Sequence, residues 1–130
     1  MASREDIITR YEEASAADDF PAMGALRHRD WEMILPQSGE LIRGHDNYVG
    51  MRENRPEGAP RVEPVRHGGA GDVWWSEAIV HYADRSRWLA IFIYEFDGDV
   101  IRRERAYFGQ PFPAPVWRSR WVDRIPPATG

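Results

Sequence analysis

The sequence contains no cysteine and no apolar run of membrane-spanning length. Without cysteine, disulfides, thiolate nucleophiles and Cys-ligated metal sites are excluded together. A membrane span needs roughly 18 apolar residues, and the opening MASREDIITRYEE is charged where a secretory signal would need an apolar core. We therefore expect a cytoplasmic protein with no membrane partner, whose chemistry rests on carboxylates, His, Tyr or Arg.

Clustered positive charge and metal-binding spacings are also missing. The net charge is −4, whereas nucleic-acid phosphates demand a clustered positive field, so no nucleic-acid partner is expected. The four His residues are scattered, and none stands at the spacing of a metal-binding helix. No Ser occupies a nucleophile elbow, and the glycine-rich residues 68–71 lack the helix and the Lys of a phosphate loop. No metal site and no nucleotide site are predicted.

Aromatic side chains are plentiful instead. The 130 residues fit one domain spanning residues 1–130. Aromatic residues make up 12% of the chain and include six Trp, and that much flat apolar surface suits a cavity lining or a dimer face.

A long β-hairpin over residues 87–108 is the strongest structural signal. Asp97-Gly98 joins two apolar-rich runs, which is typical of a hairpin turn. Alternate positions place one set of side chains on one face: Trp88, Ala90, Phe92, Tyr94 and Phe96. The other face carries Leu89, Ile91, Ile93 and Glu95. Because both faces are apolar, we expect this strand to be covered on both sides.

The second hairpin strand isolates one acid. Alternation places Glu104 on the same face as Ala106 and Phe108, and places Arg103, Arg105 and Tyr107 on the other face. Glu104 is therefore predicted to be a single carboxyl group among apolar neighbours.

The rest of the chain reads as helices first and strands second. Helical spacing covers residues 3–17, a short helix follows Asp19, and a third begins near Asp46. Strands are predicted at residues 31–35, 61–66 and 73–82, before the hairpin. This order predicts an α+β fold with the helices on one face of a curved antiparallel or mixed sheet. Residues 111–130 are predicted to form an extended Pro- and Trp-rich tail whose Trp117 and Trp121 pack back on the body.

Several motifs accompany this order: Arg10-Tyr11, Asp19, Pro36 with Ile42-Arg43-Gly44, and the final Ile101-x-x-Glu104-x-Ala106-Tyr107-Phe108. In these respects the chain resembles the SnoaL-like group of the nuclear-transport-factor-two superfamily, which also contains ketosteroid isomerases and limonene epoxide hydrolases. The resemblance implies a cystatin-like, cone-shaped barrel around about three N-terminal helices. It also implies a pocket for a small hydrophobic molecule, no cofactor, and a homodimer formed through the outer face of the sheet.

Matched to the ketosteroid isomerases, the catalytic pattern is incomplete. The oxyanion-binding Tyr falls on Tyr11, but the base falls on Leu35 and the second acid on Phe92. Isomerisation of the steroid type is therefore not expected. Tyr11 remains a candidate donor to a ligand oxygen, the alternative being a core Tyr whose hydroxyl is satisfied locally.

Glu104 is the main catalytic candidate. On the cavity face, opposite Phe92 and Tyr94, a carboxyl group loses solvation, so that its pKa rises and it can act as an acid or base near neutral pH. The alternatives are an ion pair with an Arg such as Arg102 or Arg103, or a one-residue register shift that turns Glu104 outward.

Glu77 and His81 are the next candidates. They share one face of a strand with Trp75 and Ile79, and the hairpin register favours that face inward. Two carboxyl groups in one pocket would then hold one proton between them. The alternative is Glu77 paired with an Arg on an outer surface.

These observations lead to two hypotheses. The first is a cofactor-independent cyclase, isomerase or dehydratase acting on a polyketide- or terpenoid-like compound, in which Glu104 moves a proton and Tyr11 holds an oxyanion. The second is a non-catalytic binding or dimeric interaction domain, in which an Arg neutralises Glu104 and aromatic side chains fill the cone. Epoxide hydrolysis ranks last, because Leu35 and Phe92 stand where acids are expected. The predicted cavity-shaping residues are Trp31, Met33, Leu35, Trp88, Phe92, Tyr94, Phe108 and His81.

Overall fold

The computed structural model describes residues 2–126. The helices are α1 (Arg4–Ala16), α2 (Phe20–Ala25) and α3 (His45–Glu53), followed by a 3-10 helix at Val116–Trp121. The strands are β1 (Arg27–Leu35), β2 (Glu40–Arg43), β3 (Arg61–Ala70), β4 (Val73–His81), β5 (Arg87–Asp97) and β6 (Val100–Gly109). The predicted α+β architecture is confirmed. Within residues 2–126, no helix is long and apolar enough to cross a membrane.

Helix α1 begins at a reciprocal cap. The Ser3 hydroxyl accepts from the Asp6 backbone N–H at 3.1 Å, and the Asp6 carboxylate accepts from the Ser3 N–H at 3.3 Å, which satisfies two N–H groups that a helix start otherwise leaves unpaired. Ile7, Ile8 and Tyr11 then bury one stripe of the helix. This stripe faces the sheet and carries Tyr11 into the interior.

One curved, mixed sheet forms the other layer. Its strand order is β2-β1-β6-β5-β4-β3. Strand β1 runs parallel to β6, and the other neighbours are antiparallel. The helices cover the concave face, so the core lies between them and the sheet.

The predicted hairpin is confirmed. Strands β5 and β6 pair with Tyr94 opposite Glu104 and Phe92 opposite Ala106. Gly98 turns the chain with a φ of 61°, a conformation that glycine adopts without steric cost. Because paired residues share a face, this register points Glu104 inward with Tyr94 and Phe92.

Two strands are longer than predicted. Strand β1 begins at Arg27 rather than at Trp31. Strand β3 continues through Gly68 and Gly69 to Ala70, beyond the predicted end at residue 66. A Cβ at Gly68 would lie 2.8 Å from the Trp75 ring, and a Cβ at Gly69 would lie 2.6 Å from the Trp74 ring. The two glycines therefore make room for these rings to pack on β3.

Within this chain, two predictions that apolar side chains are buried are wrong. On the outer face of β5, Leu89 is 54% and Ile91 39% exposed. In the tail, Trp117 and Trp121 are 75% and 70% exposed and lie in the 3-10 helix rather than against the body. Three of the five residues in 111–115 are Pro, which has no backbone N–H to donate to a neighbouring strand. Residues 127–130 of the predicted tail lie outside the described residues.

Candidate functional site

The space between the helices and the concave face of the sheet is a cavity of about 520 Å³. Its lining is mostly apolar, with Met23, Met33, Leu35, Ala78, Val80 and Phe92 among the wall residues. Exposed residues of the α3–β3 and β4–β5 connections, including Arg55 and Asp84, also line it and mark its mouth. A cavity of this size and composition fits a small apolar molecule.

Glu104 lies in the wall of this cavity and is 2% exposed. Its Oε1 accepts hydrogen bonds from the Tyr11 hydroxyl and, at 3.2 Å, from Trp31 Nε1. Its Oε2 accepts no hydrogen bond from the residues that the structure describes. One oxygen is therefore fixed by hydrogen bonds from the protein, while the other has none from the described residues.

Arg27 provides the charge that balances Glu104. Its Nη2 lies 3.8 Å from Glu104 Oε1, its Nε donates to the Tyr11 hydroxyl at 2.7 Å, and its Nη1 donates to His45 Nδ1 at 2.8 Å. The guanidinium also stacks on the Trp31 ring at 3.6 Å, a contact that suits the planar Arg cation. Among the described residues, Nη2 has no hydrogen-bond partner.

Burial and charge oppose each other at Glu104. Burial raises the pKa of the Glu104 carboxyl, and this effect outweighs the Arg27 charge and the Tyr11 and Trp31 hydrogen bonds that lower the pKa. The pKa of Tyr11 is raised well above its ordinary value by burial and by the Glu104 charge, so Tyr11 stays neutral. Burial and the Arg27 charge lower the pKa of His45.

Most of the predicted cavity residues line the cavity. Glu104 and Tyr11 do so, together with Met33, Leu35, Trp88, Phe92, Tyr94 and Phe108. Trp31 is buried but lies behind the wall, where its indole supports Arg27 and Glu104.

The predicted inward positions of Glu77 and His81 are wrong. Glu77 accepts from Arg66 Nε at 2.6 Å on the exposed side of the sheet, and His81 Nε2 lies 2.8 Å from Glu63 Oε1. The pairing of β4 with β5 sets these positions, because Ser76 stands opposite the inward-facing Phe92. The inward face of β4 is therefore the opposite face of the strand, which carries Ser76, Ala78 and Val80.

The predicted partners of Glu104 also need correction. Arg102 donates to the Asp30 carbonyl at 2.6 Å and Arg103 to Glu32 at 2.9 Å, so neither neutralises Glu104. Arg27 does, and the sequence prediction missed it because the strand was begun four residues too late. Arg29, two residues before Trp31, is exposed, so the inward alternation breaks before it reaches Arg27.

Tyr11 cannot hold an oxyanion in the way predicted. Its hydroxyl has one proton, which it donates to Glu104, and it accepts from Arg27. The structure therefore agrees with the alternative interpretation, in which Tyr11 is a core residue whose hydroxyl is hydrogen-bonded by its neighbours. Tyr11 fixes the orientation of Glu104. In residues 2–126, no three His, Asp or Glu side chains come together to hold a metal ion.

Comparison with known proteins identifies the family to which this fold belongs. No family model and no curated protein matches the chain. A solved structure does match: an NTF2-like protein of unknown function from Burkholderia xenovorans LB400 is 35% identical, with a TM-score of 0.84 over 95% of each chain. The chain belongs to the NTF2-like family. The sequence-based resemblance to this superfamily is thereby confirmed.

Two further structures extend the comparison within the NTF2-like fold. A protein from Kribbella flavida DSM 17836, provisionally assigned as a ketosteroid isomerase, is 19% identical, with a TM-score of 0.84 over 95% of this chain and 90% of that one. A protein from Shewanella putrefaciens CN-32, provisionally assigned as a SnoaL-like polyketide cyclase, is 10% identical, with a TM-score of 0.68 over 84% and 91%. At these identities the likeness establishes the fold and leaves the activity to the residues of the cavity.

Proposed function

We propose that the protein binds an apolar, oxygenated small molecule of polyketide- or terpenoid-like kind in the cone and moves a proton on it with Glu104. The observation that carries this proposal is the position of Glu104. Its Oε2 is free of hydrogen bonds from the described residues at the wall of an apolar cavity of about 520 Å³. A carboxyl group with one fixed and one open oxygen is oriented for proton transfer.

The chemistry balances without a further reactant. Ionised Glu104 takes a proton from a carbon next to a ligand carbonyl: the C–H bond breaks, an O–H bond forms on Glu104, and the electron pair moves to the carbonyl oxygen. Return of that proton to another atom of the ligand gives an isomerisation, and return to a leaving hydroxyl group gives a dehydration. Both outcomes belong to the predicted cyclase, isomerase and dehydratase class.

Arg27 favours this step electrostatically. While Glu104 is ionised, its charge is balanced by Arg27 at 3.8 Å. Proton transfer neutralises Glu104 and moves the negative charge to the ligand oxygen, so the Arg27 charge then acts on the developing oxyanion. In a buried, low-dielectric site such a fixed charge stabilises the transition state without reorganisation.

The raised pKa of Glu104 supports the same role. A general base works best when its pKa lies near the operating pH, and burial moves a carboxyl group in that direction. Tyr11 acts as a positioning residue, because its hydroxyl contacts Glu104 and Arg27.

A rival function is ligand binding without turnover. The ion pair with Arg27 favours it, since pairing with an Arg is what the second sequence hypothesis required of Glu104. The open cavity is contrary to the other part of that hypothesis, which expected aromatic side chains to fill the cone.

Deuterium exchange separates the two functions. A decalone, which is a saturated bicyclic ketone, is incubated with the protein in heavy water, and loss of its α-proton signals is followed by NMR. We expect the wild-type protein to accelerate exchange and Glu104→Gln to lose about 100-fold or more of that rate. Glu77→Gln, which changes an outer carboxyl group, serves as the matched control and keeps the wild-type rate. Equal rates for Glu104→Gln and wild type would refute the acid–base role, and decalone binding without exchange would establish the rival function.

We also propose that two copies pair through the outer face of the sheet. Leu89, Ile91 and Val73 are exposed on that face in a single chain, and exposed apolar side chains of this kind suit an interface. Light scattering should give the mass of a dimer for the wild type and of a monomer for Ile91→Arg, with Trp121→Ala in the tail as control. A monomeric wild-type protein at micromolar concentration would contradict the proposal.

A further inference from the structure

A second polar cluster lies on the cavity wall, apart from Glu104 and Arg27. It consists of Glu12, Ser76 and Tyr94, with His67 behind Glu12. The proton transfer described above uses none of these four residues. A mostly apolar cavity tolerates such a cluster only where its polar groups have partners.

Glu12 is held firmly within the cluster. Its Oε2 accepts from the Ser76 hydroxyl at 2.8 Å, and its Oε1 lies 3.0 Å from His67 Nδ1. His67 Nε2 in turn lies 3.5 Å from Glu5 Oε1 at the surface. The Glu12 side chain is 11% exposed, so the carboxylate is oriented by its neighbours rather than by water.

The cluster still has hydrogen-bonding capacity. Each carboxylate oxygen has two lone pairs, and each Glu12 oxygen has one partner in the contacts above. The Tyr94 hydroxyl lies beside Ser76, and its pKa is raised well above the ordinary value by burial, so it stays protonated and can donate. A ligand group here would meet an acceptor in Glu12 and a donor in Tyr94.

The cluster lies at a fixed distance from Glu104. Ser76 is on β4 and Glu104 is on β6, with β5 between them. Two strand spacings amount to roughly 10 Å. Tyr94 of β5 lies between the two groups and packs edge-on against Tyr11, with ring centroids 5.7 Å apart.

From this geometry we infer that Glu12, Ser76 and Tyr94 form a second binding site in the cavity, which recognises a hydroxyl group on the end of the ligand remote from Glu104. The inference rests on the proposed function, because it takes the reacting carbonyl to lie at Glu104. A hydroxyl group fits better than an ammonium group. It donates to Glu12 and accepts from Tyr94, whereas an ammonium group only donates.

Matched ligands test this site. Calorimetric affinities are measured for a decalone and for a hydroxydecalone whose hydroxyl is on the ring remote from the ketone. A hydrogen bond to a buried carboxylate predicts that the wild-type protein binds the hydroxydecalone about 10-fold more tightly or better. Glu12→Gln and Ser76→Ala should each bring that ratio close to one. Glu13→Gln, which changes the neighbouring exposed carboxyl group, should leave it at the wild-type value.

The outcomes separate this inference from the proposed function. If the wild-type protein exchanges decalone protons through Glu104 but shows no preference for the hydroxydecalone, the second site is wrong and the proposed function stands. The same conclusion follows if both Glu12→Gln and Ser76→Ala keep the wild-type ratio while the circular dichroism is unchanged. If neither ketone binds the wild-type protein, the site and the proposed function fall together.

Discussion

The Arg27 guanidinium and the Glu104 carboxylate lie 3.8 Å apart with their side chains 1% and 2% exposed. They come from β1 and β6, which are neighbours in the sheet and run parallel. Neither charge reaches bulk water, so each depends on the other for compensation. This pair links the stability of the cone to the proposed proton transfer.

Arg27→Met should be strongly destabilising. The substitution leaves the Glu104 charge buried without its partner, and loss of one member of a buried pair costs about 3–5 kcal/mol. The free energy of unfolding from urea titration at pH 7 should fall by that amount. The double variant Arg27→Met/Glu104→Leu removes both charges and should recover most of the loss. A single variant that loses less than about 1 kcal/mol, the level of an exposed pair, would show that the pair is not buried in solution.

The stability contribution of Glu104 should depend on pH in a defined direction. Its pKa is raised in the folded state, so the folded protein binds the proton more tightly than the unfolded chain. The contribution is fully present below the ordinary Glu pKa of about 4.3, and it is lost as pH rises through the folded-state pKa. The free energy of unfolding is measured by urea titration for the wild type and for Glu104→Gln. We expect the difference, wild type minus Glu104→Gln, to decrease as pH rises over this window. An increase would mean that the folded-state pKa is lowered.

Gly24 should not tolerate a larger residue. A Cβ at Gly24 would lie 2.8 Å from His45 Nε2, and the His45 ring is held in place by Arg27 through its other nitrogen. Gly24→Ala should therefore cost about 1–3 kcal/mol in the free energy of unfolding.

Gly50→Ala is the matched helical control for that substitution. Within the described part of the chain, an added Cβ at Gly50 meets no atom within 4 Å, and replacement of a mid-helix glycine by alanine should stabilise by about 0.5–1 kcal/mol. Removal of the His45 ring in Gly24→Ala/His45→Ala should relieve the clash. If Gly24→Ala is as stable as the wild type, His45 is not fixed where the structure places it.

The hairpin was predictable because its signals agree with one another. The Asp97-Gly98 turn, the alternation and the single acid at Glu104 all specify one register. Strand β4 was not predictable in this way, since both its faces mix apolar and polar residues and only its pairing with β5 decides that Ser76 faces inward. The pattern of residues within β4 does not determine how the strand pairs with β5.

The polar partners were harder to predict than the strands. Arg27 was missed because the register between β1 and β6 shifts between Arg27 and Glu32, which interrupts the alternation and hides the start of the strand. Glu12 and His67 are 55 positions apart, and no spacing rule relates them. These contacts follow from how α1 lies on the sheet, which is a tertiary property.

The most direct test of the central claim is a crystal structure of the wild-type protein with a decalone bound. We expect the ring inside the cone, its α-carbon within about 3.5 Å of Glu104 Oε2, and the ketone oxygen on the Arg27 side. A decalone whose α-carbons face away from Glu104, or one bound outside the cone, would contradict the proposed function.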